Sequence, residues 1–267
     1  MAELDRRFGR EAFGDDPANY DAARPDYPVW VFETLVERCG LAAGAAVFEV
    51  GAGTGKATRE LLQLGADPLV AVEPDTRLAE YLRGSTGSTA LGVVNAPFED
   101  AELGEGAFDL GVSATAFHWL DEVAALAKVA RLLRPGGWWA MVWNVFGDDD
   151  RPDPFHEATN ALLNDGPRST SHGGPGGVPF ALNVNARMSA FGRSGAFEAI
   201  SHVQRSWDLV LDPDQVVALY ATFSDMTARP RHEQREVLAE LRRIAVEAFH
   251  GRVVRNMITI LWTARRR

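Results

Sequence analysis

The segment Val47-Phe-Glu-Val-Gly-Ala-Gly-Thr-Gly-Lys56 narrows the possible folds more than any other part of the chain. A short apolar, β-branched run ends there in glycines at 51, 53 and 55, with an acid, Glu49, ahead of them. Alternate glycines let a backbone turn sharply from strand to helix, and they let a ligand lie against main-chain N–H groups with no Cβ in the way. Two phosphate-binding patterns are excluded. A P-loop needs glycine where Val50 stands and Ser or Thr where Ala57 stands. A G-x-G-x-x-G turn started at Gly51 needs glycine or alanine at Lys56, and started at Gly53 needs one at Thr58. A second acid, Glu73, ends the next apolar run 18 residues past Gly55. In a doubly wound sheet that position faces a ribose, whose two hydroxyls a carboxylate can accept from. The turn alone also fits a ligand-free connection, and Glu73 alone a solvated strand end; together they favour a nucleoside-containing ligand.

Around this turn the hydrophobic pattern alternates between strand and helix. Pro28 to Cys39 carries Val29, Phe32, Leu35 and Val36 on one helical face. Ala45 to Val50, Leu69 to Val72, Leu91 to Val94 and Phe108 to Ser113 are strand-sized runs; Lys56 to Leu64, Thr76 to Leu82 and Asp121 to Leu133 suit helices. Such alternation implies right-handed crossovers and a parallel sheet covered on both faces. Arg134-Pro-Gly-Gly137 predicts a turn that stops the helix before a fifth strand, Trp138 to Val145. From Gly147 to Gly195 the chain turns to Asp, Asn, Gly, Pro and Ser clusters, with only short helical pieces such as Pro154 to Leu163. That stretch predicts an insertion or lid, mobile around Gly173 to Pro179. Phe197 to Leu211 predicts a sixth strand, Pro213 to Tyr220 and His232 to Phe249 helices, and Val253 to Ala264 a closing strand. The reading is one domain: an N-terminal helical cap over 1–40, a ligand-binding core over 41–146, the insertion over 147–195, and strands and helices over 196–267 that complete the sheet and a pocket.

Composition excludes several classes. With 37 acidic against 27 basic residues and a net charge of −10, the chain lacks the basic surface of a nucleic-acid binder. A single cysteine, Cys39, forms no internal disulfide and no zinc site, which suits a reducing compartment. No apolar run nears the roughly 18 residues of a membrane span, and Met1 to Asp16 offers no signal-peptide core. A cytoplasmic protein without a membrane partner is the expectation.

The motifs, taken in order, resemble those of class I S-adenosylmethionine-dependent methyltransferases over nearly the whole chain. Glu49-x-Gly-x-Gly-x-Gly55 is similar to their first motif and Ala71-Val-Glu-Pro-Asp75 to the second, which holds the ribose; Phe108 to Ser113 resembles the fourth strand and Leu132 to Gly137 the turn before the fifth. A narrower similarity, carried by Tyr20-Asp-Ala-Ala-Arg-Pro-Asp-Tyr-Pro28 and Ala116-Phe-His-Trp119, is to the branch of trans-aconitate methyltransferase-like small-molecule enzymes. The resemblance implies an α/β, Rossmann-like, doubly wound seven-stranded sheet with an antiparallel last strand and a helical cap. It also implies S-adenosylmethionine as cofactor and a small-molecule acceptor. Carried over position by position, the cofactor residues are Tyr20, Arg24, Glu49, Gly51, Ala52, Gly53, Gly55, Glu73, Pro74, Asn95, Ala96, Pro97, Phe98 and Ser113. One departure follows the third strand, where Asn95-Ala-Pro-Phe98 replaces the family's acid-containing pair and moves the adenine-facing carboxylate to Glu99 or Asp100.

Methyl transfer from a sulfonium is an in-line displacement with a good leaving group, so the protein mainly aligns and desolvates. A carboxylate nucleophile needs no base; a phenol, an amine or a carbon acid calls for one. His118 is the candidate base, with packing on the lip of the fourth strand as the alternative reading. Tyr20 and Arg24 share one helical face if that segment is helical, the arginine pairing with the methionyl carboxylate. Trp119, Trp143 and Asn144 are candidate acceptor-side residues. His156, His172 and His202 lack metal-site spacing, and no metal is expected. A rival from another class is a regulatory protein that binds the cofactor without transfer; a nicotinamide oxidoreductase is disfavoured by the glycine spacing.

Overall fold

The computed structural model describes residues 4–148, 150–163, 170–172 and 177–267. The chain runs α1 (Pro17–Ala23), α2 (Val29–Cys39), β1 (Ala45–Val50), α3 (Lys56–Gln63), β2 (Ala66–Val72), α4 (Thr76–Thr86), β3 (Leu91–Val94), β4 (Phe108–Ala114), α5 (Glu122–Leu132), β5 (Leu133–Phe146), α6 (Pro154–Leu163), α7 (Val184–Ser194), β6 (Phe197–Leu211), α8 (Pro213–Tyr220), α9 (Ser224–Thr227), α10 (Arg231–Glu247) and β7 (Val253–Arg266). The strands form one seven-stranded sheet in the order β3-β2-β1-β4-β5-β7-β6. The first five run parallel, and β7 lies antiparallel between β5 and β6. The order reverses direction at β1, so the carboxyl ends of β1 and β4 border a crevice where a ligand can enter.

Alternation along each strand distributes the core. On β1, Val47 joins a cluster with Leu35, Leu61, Leu69 and Leu110 beneath α2 and α3. Its neighbour Phe48 joins Phe98, Phe108, Leu126, Trp139 and Trp262 on the opposite face, beneath α5 and α7. A third cluster, with Phe155, Leu219, Tyr220, Leu241 and Val253, holds α6, α8 and α10 together beside β7. The helix starts follow from local chemistry. Asp16, Asp75, Asp121 and Asn183 each accept a backbone N–H of the helix they cap, and Asp212 with Gln215 makes a reciprocal capping box.

Four sequence expectations change in the structure, the first being the apolar face of α2, which buries Trp30, Val31, Phe32, Leu35 and Cys39 while Val29 and Val36 are exposed. The Arg134–Gly137 turn lies inside β5 as a bulge, because pairing slips from Phe108/Leu133 to Leu110/Trp138. A Cβ on Gly137 would sit 3.0 Å from the Arg134 and Asp109 carbonyl oxygens, tighter than an ordinary contact, so the bulge favours glycine there. The insertion contains an eleven-residue helix, α7, where only short pieces are expected. That helix is anchored by Phe191 packing edge-on to Phe197, 5.5 Å between ring centres. The Trp262 indole donates to the Ala181 carbonyl at 3.0 Å, tying down the stretch just before it. Of the segment expected to be a mobile lid, 173–176 lie outside the described residues. Finally, α1 stops at Ala23, because Pro25 drives Arg24 into an extended conformation with ψ of 134°.

Candidate active site

The glycine turn is fastened to the neighbouring strand before any ligand is considered. The N–H groups of Gly51 and Ala52 both donate to the Val72 carbonyl, at 2.9 and 3.2 Å. Gly51 has φ of +70°, and a Cβ there would lie 2.3 Å from that of Ala116. Gly53, at φ of +58°, faces open space. Two carboxylates flank the turn. Glu73 is 4% exposed and accepts from the Gly53 N–H at 2.8 Å and the Asp75 N–H at 2.9 Å. Burial pushes its pKa up to about 7, against the lowering effect of those two donors. Glu49, 1% exposed, accepts from the Thr58 hydroxyl at 2.6 Å through one oxygen; the other is buried without a partner. Burial pushes Glu49 up to about 8, with the Thr58 hydroxyl pulling the other way.

Two adjoining cavities meet at the turn, sharing Tyr20, Gly51, Gly53, Ala114 and Thr115. The first, of about 680 Å³, is walled by Glu73, Pro74, Pro97, Phe98, Glu99 and Trp119, and by Gly9, Arg10 and Phe13 of the N-terminal segment. That segment is latched. Arg10 pairs with Glu99 at 2.8 Å, Phe13 sits edge-on to Trp119 at 6.2 Å, and Arg77 joins Asp15 to Asp75. The second cavity, of about 570 Å³, is walled by Tyr20, Arg24, Tyr27, Glu49, Ala52, Lys56, Thr115, Asn144 and Phe146. The Tyr27 and Thr115 hydroxyls are 2.8 Å apart. Thr115 holds φ of +57°, a strained conformation for a β-branched residue, which is a frequent mark of a functional position. Burial raises the Tyr27 pKa, so this phenol stays protonated at neutral pH. Arg24 is sandwiched between the rings of Tyr20 and Phe223, at 5.2 and 4.6 Å, and donates to the Thr222 carbonyl at 2.7 Å. Its Nε is buried with no partner.

An orphaned carboxylate oxygen and an orphaned guanidinium N–H on the wall of one cavity suit a zwitterionic amino-acid head group. A carboxylate at the end of β2, opening on the other cavity, suits vicinal hydroxyls. The residues present therefore fit S-adenosylmethionine at both ends.

The structure brings together Tyr20, Arg24, Glu49, Gly51, Ala52, Gly53, Glu73, Pro74, Pro97, Phe98, Trp119 and Asn144 on the walls. Of the two carboxylates proposed to face adenine, Glu99 is on the wall and Asp100 is not. Trp119 lines the Glu73 cavity and not the one that holds Asn144. Gly55, Asn95, Ala96, Ser113, His118 and Trp143 line neither cavity. Gly55 caps α3, Ser113 donates to the Val50 carbonyl at 3.0 Å, and the Asn95 amide donates to the carbonyls of Glu73 and Pro74 at 2.9 and 3.1 Å. Ala96 packs against the core. His118, expected as the base, is buried, and its Nδ1 accepts from the Trp143 indole at 3.1 Å. The 3₁₀ turn Phe117–Trp119 sends Trp119 to the cavity and His118 toward Phe180 and Trp143. Sequence reasoning missed Arg10, Phe13, Tyr27, Lys56, Thr115 and Phe146. Tyr27 and Thr115 border or lie within motifs that carry the family resemblance; Phe13 and Phe146 carry no local signal. Among the described residues no cluster of His, Cys, Asp and Glu can hold a metal ion, and no helix is long and apolar enough to cross a membrane.

Comparison with known proteins bears on this geometry. Residues 48–141 match the family model of a methyltransferase domain. An uncharacterized methyltransferase of Mycobacterium tuberculosis is 29% identical over 90% of this chain and 87% of its own length. One from Schizosaccharomyces pombe is 26% identical over 86% of this chain and 85% of its own. Among solved structures, a putative type II methyltransferase from Anaeromyxobacter dehalogenans superposes with a TM-score of 0.58 at 21% identity, covering 91% of this chain and 97% of that one. Phosphoethanolamine N-methyltransferase 2 of Haemonchus contortus, solved with S-adenosyl-L-methionine, superposes at 0.56 with 12% identity, covering 95% of this chain and 57% of that one. The protein is an S-adenosylmethionine-dependent methyltransferase, and S-adenosylmethionine is its cofactor.

Proposed function

We propose that the two adjoining cavities divide the reaction, the Glu73 side holding the adenosyl half of the cofactor and the Tyr27 side taking its methionyl end and admitting a small-molecule acceptor. The observation that carries this reading is the shared wall at Gly51, Gly53 and Thr115, which places the junction of the cavities at the carboxyl ends of β1 and β4. Glu73 accepts from the ribose hydroxyls, Glu49 pairs with the methionyl ammonium and Arg24 with its carboxylate. When bound, the cofactor supplies an electrophilic methyl group on a sulfonium that leaves as a thioether. The chain's part is alignment and exclusion of water, the latter through the latched N-terminal segment and the aromatic wall of Tyr20 and Phe146.

Beyond the residues assigned to the cofactor, the acceptor cavity is lined by Tyr27, Thr115, Asn144 and Phe146, with Lys56 paired to Asp26 at 2.7 Å, and the Tyr27 phenol stays protonated and can donate to an anionic oxygen. These features favour a small nucleophile that arrives with a free lone pair at neutral pH, a carboxylate oxygen best of all, over a polymer or a carbon acid. Tyr20, Arg24 and Tyr27 come from the same stretch that carries the resemblance to the trans-aconitate methyltransferase-like branch, and we place the chain near that branch on this ground. Transfer of a labelled methyl group to a panel of small carboxylates, amines and phenols, run beside RNA and a peptide mixture, tests the reading. Label in a small carboxylate is the expected result; label only in RNA or peptide overturns it.

A further inference from the structure

Lys128 is one of only two lysines in the chain, and it makes no ion pair among the described residues. Its ammonium donates to three backbone carbonyls of one turn: Phe98 at 2.6 Å, Ala101 at 2.6 Å and Glu99 at 3.1 Å. An ammonium has three protons and each finds a carbonyl, so the side chain fills the turn as a bound cation would. The N–H groups of Asp100 and Ala101 both donate to the Pro97 carbonyl at 3.0 Å, which closes the turn from the other side. The same ammonium lies 5.0 Å from the centre of the Phe98 ring. This turn is the one that sends Pro97, Phe98 and Glu99 to the cofactor cavity, and Glu99 in turn latches the N-terminal segment through Arg10.

We infer that Lys128 is a positioning residue for cofactor binding: from α5, behind the cavity wall, its ammonium sets the turn that presents Phe98 and Glu99. The inference rests on the Glu73 cavity being the adenosyl site. Without the ammonium, the three carbonyls turn toward water, the turn loosens, and both the wall and the Arg10 latch lose their fixed place. A planar guanidinium cannot serve three carbonyls that converge on one point as an ammonium does, so arginine should substitute only in part.

S-adenosylmethionine itself is the probe, titrated calorimetrically into the wild type, Glu73→Ala, Lys128→Met, Lys128→Arg, Glu99→Gln and the Lys128→Met/Glu99→Gln double variant. Lys128→Met is expected to fold with a cooperative melt and to bind about tenfold more weakly. Lys128→Arg should recover only part of that loss, and the double variant should lose less than the two single losses combined, because both act through one turn. An unchanged affinity in folded Lys128→Met overturns the inference, as does an additive double variant. If Lys128→Met does not fold, wild-type affinity in Lys128→Arg overturns it, since charge alone then suffices. A Glu73→Ala protein that binds like the wild type overturns the cavity assignment instead, which keeps the two failures apart.

Discussion

The two cavities that meet at the glycine turn are built in different ways. The Glu73 side is anchored by backbone at the strand ends: Glu73 is held by two N–H groups, and the glycine turn that both cavities share by the Val72 carbonyl. Its parts come mostly from neighbouring parallel strands, closed over by the N-terminal segment. The Tyr27 side adds to that shared turn long side chains from distant segments. Arg24 spans to Thr222 and stacks on Phe223, and the Asn19 amide donates to the Ala218 carbonyl at 3.2 Å. Phe146 stands 5.5 Å from Phe223, edge-on. Parts fixed by backbone hydrogen bonds suit a ligand that never changes, whereas side chains such as Tyr27 and Phe146 can be exchanged one by one without disturbing the sheet.

The sharpest break of this contrast is at the turn itself. Gly51→Ala places a Cβ on that of Ala116 and forces a left-handed conformation on alanine, which should cost about 2 to 5 kcal/mol of stability. Urea denaturation reads it, and a loss under 1 kcal/mol would show the turn to be softer than described. Next is Glu73→Ala, which should weaken S-adenosylmethionine binding by about 1 to 3 kcal/mol through lost charge-assisted hydrogen bonds. Calorimetry on the folded variant decides, and unchanged affinity removes the ribose assignment.

On the other side, Tyr27→Phe should leave cofactor affinity within about twofold while lowering turnover of a methylated acceptor about tenfold, since only one hydroxyl is lost. Equal losses in both would merge the two cavities into one functional unit. His118→Ala should act through packing: removing the partner of the buried Trp143 indole should cost about 1 to 3 kcal/mol of stability. Its turnover should fall less than about tenfold; a drop of a hundredfold or more with stability intact would return the residue to the chemistry.

The smallest expected effect is a slope. Glu49 and Glu73 have folded-state pKa values of about 8 and 7, above the 4.5 of a free glutamate. A raised carboxyl pKa means the folded protein binds more protons than the unfolded chain between those values. Without cofactor, stability should therefore be greatest below about pH 4.5 as far as these groups decide it, and decline as pH rises through 7 and 8. Glu49→Gln should flatten part of that decline in melting scans from pH 5 to 8. Saturating S-adenosylmethionine should flatten it too, because an ammonium beside Glu49 stabilises the ionised form. A wild-type melting temperature that climbs across this range would contradict both assignments.

Much of the region around the glycine turn was legible in the chain alone. Strands β1, β3 and β6 match their expected limits, and Glu49, Gly51, Gly53 and Glu73 occupy the cavity walls where their spacing put them. The reason is range. A strand-turn-helix unit is specified by residues within about twenty positions of one another, through φ/ψ limits and hydrophobic period. Helix α7 escaped because its burial is set by Phe197 and Trp262 on other elements, and its interior holds a glycine and polar residues that blur the period.

What the tertiary structure decided was direction and partnership. The motif containing His118 and Trp119 announces two aromatic-type side chains beside the site, but only the 3₁₀ turn determines that the tryptophan enters the cavity and the histidine joins Trp143 behind it. Lys128 reads in sequence as one more charge on a helix, and its meaning arises from carbonyls some 30 positions away. Arg24 meets Thr222 across 198 residues. Local rules fix where a backbone can turn and which face is apolar. Which side chains meet across the turn depends on the closure of the whole sheet, and hydrogen bonds between such distant groups leave no period in the sequence to be read.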